Sequence, residues 1–129
     1  MILVDSFVWI AQLRGSLTPA TARLEVLASR ERILVGDLIL LQVLQGARDE
    51  VHAARIERGL RQFAVVPLLD PDLAPLAARN YRQLRELGVT VRKTADIIIG
   101  TFCIERRCAL LHDDRDFAPM EEHFGLVAA

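Results

Sequence analysis

Four carboxylates in this chain stand where an apolar run begins or gives out. Asp5 ends Ile2-Leu3-Val4, and Asp114 and Asp116 follow Ala109-Leu110-Leu111. Asp96 opens the run Ile97-Ile98-Ile99. In open α/β sheets the crevice outside the C-terminal strand ends is where ligands bind. Each acid also has a plainer reading. Asp5 is a good helix N-cap, Asp96 complements a helix dipole, and Asp114-Arg115-Asp116-Phe117 occurs as an ordinary surface turn. Taken together, four carboxylates on one rim would raise one another's pKa and destabilise the fold. A bound divalent cation removes that conflict. With no Cys or clustered His beside the acids, the donors are all oxygen, which favours Mg²⁺ or Mn²⁺ over zinc. Such ions activate water and stabilise charge building up on a phosphoryl group, so the reaction class is metal-assisted phosphodiester hydrolysis.

The neighbours of these acids are open to two readings. Arg92, Lys93 and Arg115 either hold nucleic-acid phosphates beside the metal or are solvated charges that balance the acids. Thr94, two residues before Asp96, offers a hydroxyl to cap that helix and, secondarily, to orient the site. His112 is a lone histidine, a type more often structural or exposed than a general base. Trp9, Phe7 and Tyr81 either stack on bases or serve apolar packing, the commoner role.

The elements that must position the acids follow from punctuation and periodicity. Short strands are expected at Ile2–Val4, Ile33–Val35, Ala64–Leu68 and Cys108–Leu111, with Leu126-Val127 a possible fifth. Helices are expected from Ser6 to about Leu13, Ala20 to Ser29, Leu38 to Leu44 behind Asp37 as a cap, and Asp49 to Phe63. Further helices should run from Asp70-Pro71 to Leu87, Ala95 to Arg106, and Pro119 to His123. Strands alternating with helices argue a parallel sheet covered on both faces, with right-handed crossovers.

The chain has 129 residues, 52% hydrophobic and 26% charged, which suits one domain with a full core. A net charge of −1 gives no bulk signal for nucleic acid, so any basic surface must be local. Cys103 and Cys108 form no disulfide framework and fit a reducing, cytoplasmic setting as inert thiols. No apolar run approaches the about 20 residues needed to span a membrane, and no signal peptide is expected.

Four pieces, MILVDSFVWI, LILLQVLQGA, VRKTADIIIGTFCIE and LLHDDRDFAPM, occur in this order across essentially the whole chain. As a set they resemble a PIN-domain ribonuclease, specifically a VapC-type toxin of a bacterial toxin–antitoxin pair. The resemblance implies a three-layer α/β/α sandwich with a central parallel sheet of about five strands, one PIN-like domain over residues 1–129. It implies an Mg²⁺- or Mn²⁺-dependent endoribonuclease acting on RNA, often a structured one such as tRNA. It also implies a VapB-type antitoxin partner and a homodimer. Asp5, Asp96 and Asp114 fall on the family's first, third and fourth acids, and Asp116 on an additional acid that often joins the metal site. Ser6 falls on the small hydroxyl residue that supports the first acid.

Gln42 departs from this pattern, standing where the family has a Glu. The shapes match, but an amide brings one neutral acceptor oxygen and an NH₂ that would face a cation. Three explanations are open: an inactivated variant, a natural but weaker site, or Asp37 supplying the missing charge. They divide the function into two readings, a working endoribonuclease toxin and a catalytically dead PIN-fold protein that only binds antitoxin or RNA. A response-regulator-like domain is disfavoured. Its chemistry needs a Lys set to meet the phosphate, whereas here the acids spread from the first strand to the fourth and Lys93 is the only Lys.

Overall fold

The computed structural model describes residues 1–129. Four short strands, β1 (Ile2–Val4), β2 (Ile33–Gly36), β3 (Ala64–Val66) and β4 (Ala109–Leu111), form one sheet in the order β3-β2-β1-β4. All three pairings are parallel, with Leu3 opposite Leu34 on one side and Leu110 on the other. Strands buried on both faces need apolar side chains at every position, and Ile2-Leu3-Val4 and Ile33-Leu34-Val35 supply them.

Seven α-helices connect and cover the sheet: α1 (Ser6–Leu13), α2 (Pro19–Ala28), α3 (Asp37–Gln45), α4 (Glu50–Leu60), α5 (Leu73–Glu86), α6 (Thr94–Arg106) and α7 (Ala118–Phe124). The chain steps from β1 to β2 to β3 in one direction, then returns across the sheet to β4. Right-handed crossovers place α1–α4 on one face and α5 and α6 on the other. The packing agrees: α1 meets α2 and α3, α3 meets α4, and α5 pairs with α6. The result is a three-layer α/β/α sandwich around a core of 28 buried residues.

The expected fifth strand at Leu126-Val127 reduces to an isolated parallel bridge between Leu110 and Ala128. Leu110 N–H donates to Val127 O at 2.8 Å and Ala129 N–H to Leu110 O at 2.9 Å. Asp37 is not the cap of α3. Gly36 occupies the N-cap position, and Asp37 Oδ1 accepts from the backbone N–H of Leu38 at 2.7 Å and of Leu68 at 3.1 Å. That carboxylate ties the start of α3 to the chain leaving β3. α5 begins later than expected, at Leu73, after a turn in which Asp70 Oδ1 accepts from the N–H groups of Asp72 and Leu73. Gly88, at φ +81, ends it, a backbone conformation glycine takes without strain.

Candidate metal centre

The strand order sets the site. β1 and β4 lie side by side, while the chain leaves β1 toward β2 and reaches β4 from the opposite direction. The crevice outside their C-terminal ends is therefore the topological switch point, where open α/β sheets bind ligands. α6 leads into β4 through a parallel crossover, so it runs antiparallel to the strands and its N-terminus arrives at this same edge. Asp5 follows β1, Asp114 follows β4, and Asp96 lies in the first turn of α6.

Asp5 N–H donates to Leu111 O at 2.9 Å, fastening the end of β1 to the end of β4. Asp5 holds the N-cap position of α1, yet its side chain makes no capping bond. Its carboxyl is buried and pushed above its ordinary pKa, chiefly by burial and further by the charge of Asp114, against the opposing pull of the Ser6 N–H. Asp96 is 5% exposed. Burial, then the charges of Asp5 and Asp114, push it up to about 6. Its Oδ2 is sealed from solvent and has no hydrogen-bond partner.

Carboxylate oxygens of Asp96, Asp114 and Asp116 lie within 4.8 Å of one another. Asp114 caps the 3₁₀ turn Arg115–Phe117, its Oδ1 accepting from the Asp116 N–H at 2.9 Å. Phe117, fully buried, anchors this turn. His112, Asp113, Asp114, Arg115, Asp116 and Ala118 line an open cavity of about 600 Å³. The donors here are hard oxygens, gathered, mutually repelling and in one case orphaned. These residues fit a divalent cation.

The flanking residues divide. Lys93 acts on the site: its charge lowers both Asp5 and Asp96, and its Nζ sits 5.1 Å above the half-exposed ring of Phe7. Arg115 lines the cavity, and Arg92 is exposed. Thr94 does not cap α6. The helix begins on Thr94 itself, with Lys93 at the N-cap position and no side chain capping it, and Thr94 faces an apolar cleft between α5 and α6. Ser6, the residue after Asp5, is buried. Gln42 is half-buried in α3, outside the group of three acids, and its Oε1 is enclosed without a partner. Trp9 is core, packed on Phe63 with ring centroids 5.2 Å apart. One participant was hidden from sequence reasoning: Glu121 of α7, which reaches His112 at 2.7 Å. Nothing in its local sequence marks it, because the contact depends on where α7 folds back.

Fold and site thus define a class: an α/β/α domain that gathers carboxylates at the switch point of a parallel sheet, with oxygens placed where a hard cation could be held. The PIN domain model matches residues 2–122, and the chain belongs to that family. A VapC ribonuclease of Mycobacterium bovis and the ribonuclease VapC11 of Mycobacterium tuberculosis are each 30% identical to it over 131 residues, covering 100% of this chain and 98% of theirs. Among solved structures, VapBC2 of Rickettsia felis bound to a promoter DNA fragment superposes with a TM-score of 0.80 at 13% identity, covering 100% of this chain and 98% of that one. VapC20 of Mycobacterium tuberculosis, a toxin that cleaves the sarcin–ricin loop, gives 0.71 at 14% identity over 100% and 98%. At those identities the likeness is one of fold.

Proposed function

We propose that this protein is a metal-dependent endoribonuclease toxin, acting as a single domain over residues 1–129 and restrained by a VapB-type antitoxin. The observation that carries this reading is the meeting of Asp96, Asp114 and Asp116 oxygens within 4.8 Å, with the buried charge of Asp5 bearing on Asp96 and Asp114. The full-length relatives named as ribonucleases support RNA as the substrate class. A neighbour of the same fold from Klebsiella pneumoniae, solved as a toxin–antitoxin complex, supports the antitoxin partner. A homodimer is the expected unit, and tRNA is one candidate among structured RNAs. No helix is long and apolar enough to cross a membrane, and the two free thiols suit a reducing cytoplasm.

Asp5, Asp96, Asp114 and Asp116 would hold Mg²⁺ or Mn²⁺. A divalent ion there supplies activation of water and neutralisation of the charge that develops on the phosphodiester. The protein's own groups do the rest. The sheet edge fixes Asp5 and Asp114 from adjacent strands, so the carboxylates are aligned before substrate arrives, and Ser6, next in the chain to Asp5, is buried. Lys93 and Arg115, exposed at the rim, attract and orient the RNA backbone beside the acids, with Arg92 extending that basic rim. Burial of Asp5 and Asp96 keeps bulk water from screening their field.

Gln42 supports a second reading, a PIN-fold protein that binds antitoxin or RNA without cutting. Incubation with total RNA and Mn²⁺, with and without EDTA, separates the two. The nuclease reading expects fragments that vanish with EDTA. Cleavage that survives EDTA sinks the metal mechanism, and binding without cleavage favours the second reading.

A further inference from the structure

Behind Asp114 lies a contact that the metal chemistry does not itself require. His112 Nδ1 lies 3.1 Å from the backbone N–H of Asp114, and its Nε2 lies 2.7 Å from Glu121 Oε1. A backbone N–H only donates, so Nδ1 must be the acceptor. A carboxylate only accepts, so Nε2 must carry the proton. The two partners together select one neutral tautomer. The ring is further held against the fully buried Phe117, with centroids 4.8 Å apart, and its side chain is 12% exposed.

We propose that His112, locked by Glu121 from α7, is a positioning residue that orients Asp114 toward the cation. The bond from His112 Nδ1 to the amide two residues on has the form of an Asx turn. It sets the backbone of Asp114, whose carboxylate then caps the turn and points into the acidic cavity. The Glu121–His112–Asp114 relay thus couples the C-terminal helix to the metal centre, although neither His112 nor Glu121 touches substrate. Partners that orient ligands in this way are worth about 10–100-fold in metal affinity. The proposal rests on the nuclease reading of this same site.

Three variants test it. His112→Leu removes both bonds, His112→Asn keeps an acceptor for the Asp114 N–H but cannot reach Glu121, and Glu121→Leu removes the acceptor of the Nε2 proton. The readouts are Mn²⁺ affinity by electron paramagnetic resonance, the ¹⁵N shifts of the His112 ring, and RNA cleavage across Mn²⁺ concentrations. The ring shifts should place the proton on Nε2 in the metal-free wild type and move toward the Nδ1-protonated tautomer in Glu121→Leu, where only the Asp114 N–H still opposes it. His112→Leu should lose Mn²⁺ affinity about 10–100-fold. Its kcat should fall at limiting Mn²⁺ and recover at saturating Mn²⁺, with KM for RNA unchanged. His112→Asn should stay close to wild type, which a purely packing role for the ring would not allow. A proton on Nδ1, or a folded His112→Leu that binds Mn²⁺ as tightly as a wild type that does bind it, overturns the proposal. A wild type that binds no Mn²⁺ fails the nuclease reading and the metal role of His112 with it, while wild-type Mn²⁺ binding with a failed variant series overturns the relay alone.

Discussion

Asp96 is the residue whose environment departs most from that of an ordinary carboxylate at this site. Burial and the charges of Asp5 and Asp114 raise it from 3.8 to about 6. Between those values the folded protein keeps a proton that the unfolded chain has released. Stability of the metal-free protein therefore falls as pH rises through that window and returns as pH drops through it. Asp96→Asn should flatten this dependence, read as the difference from wild type in urea unfolding at pH 4, 5, 6 and 7. Parallel curves would show that Asp96 is not the source. Proton and cation compete for the same oxygens, so Mn²⁺ affinity should weaken below about pH 6. Gln42 gives a second prediction at this scale. Gln42→Glu should raise Mn²⁺ affinity by about tenfold, since affinity follows ligand charge. It should also cost the metal-free protein about 1–3 kcal/mol for a carboxylate placed where Gln42 Oε1 is enclosed without a partner. Unchanged affinity and RNA cleavage would mean that position 42 holds no working ligand. The acids were legible in the sequence because each sits where an apolar strand or helix meets a rim. The bond between His112 and Glu121 was not, because it joins the residue after β4 to a helix whose return path no local pattern encodes. Asp37 was read as a cap or a spare ligand because its second partner, Leu68, is 31 residues away.

At the scale of elements, strand and helix order were readable because continuous apolar runs, Gly and Pro mark each boundary, and every major helix lies where periodicity placed it. What failed was at margins. The Leu126-Val127 stretch forms no strand, and the one bridge near it pairs Ala128 with Leu110. α5 starts only at Leu73, after a turn that Asp70 holds by accepting from the N–H groups of Asp72 and Leu73. The junction of β2 and α3 shows how tightly elements meet near the site. A Cβ added at Gly36 would lie 2.7 Å from Leu68 Cγ, and Leu68 is buried with little room to shift. Gly36→Ala should destabilise the protein by about 1–3 kcal/mol through overpacking, read by urea unfolding. No loss would show that the chain after β3 yields freely, and that its tie to Asp37 does not fix it.

For the molecule as a whole, the sheet order β3-β2-β1-β4 creates one switch point, and the carboxylates that the sequence scatters from position 5 to position 116 surround it. Metal binding and stability are then linked: a cation that binds only the folded state adds about 2.7 kcal/mol at 100 times its Kd. The most direct measurement is a calorimetric titration of Mn²⁺ into the wild type and into Asp5→Asn, Asp96→Asn and Asp114→Asn. Joint coordination predicts saturable binding by the wild type and a loss of at least about tenfold in each variant, with folding retained. A wild type that takes up no Mn²⁺, or three variants that bind it as well as the wild type, would contradict it.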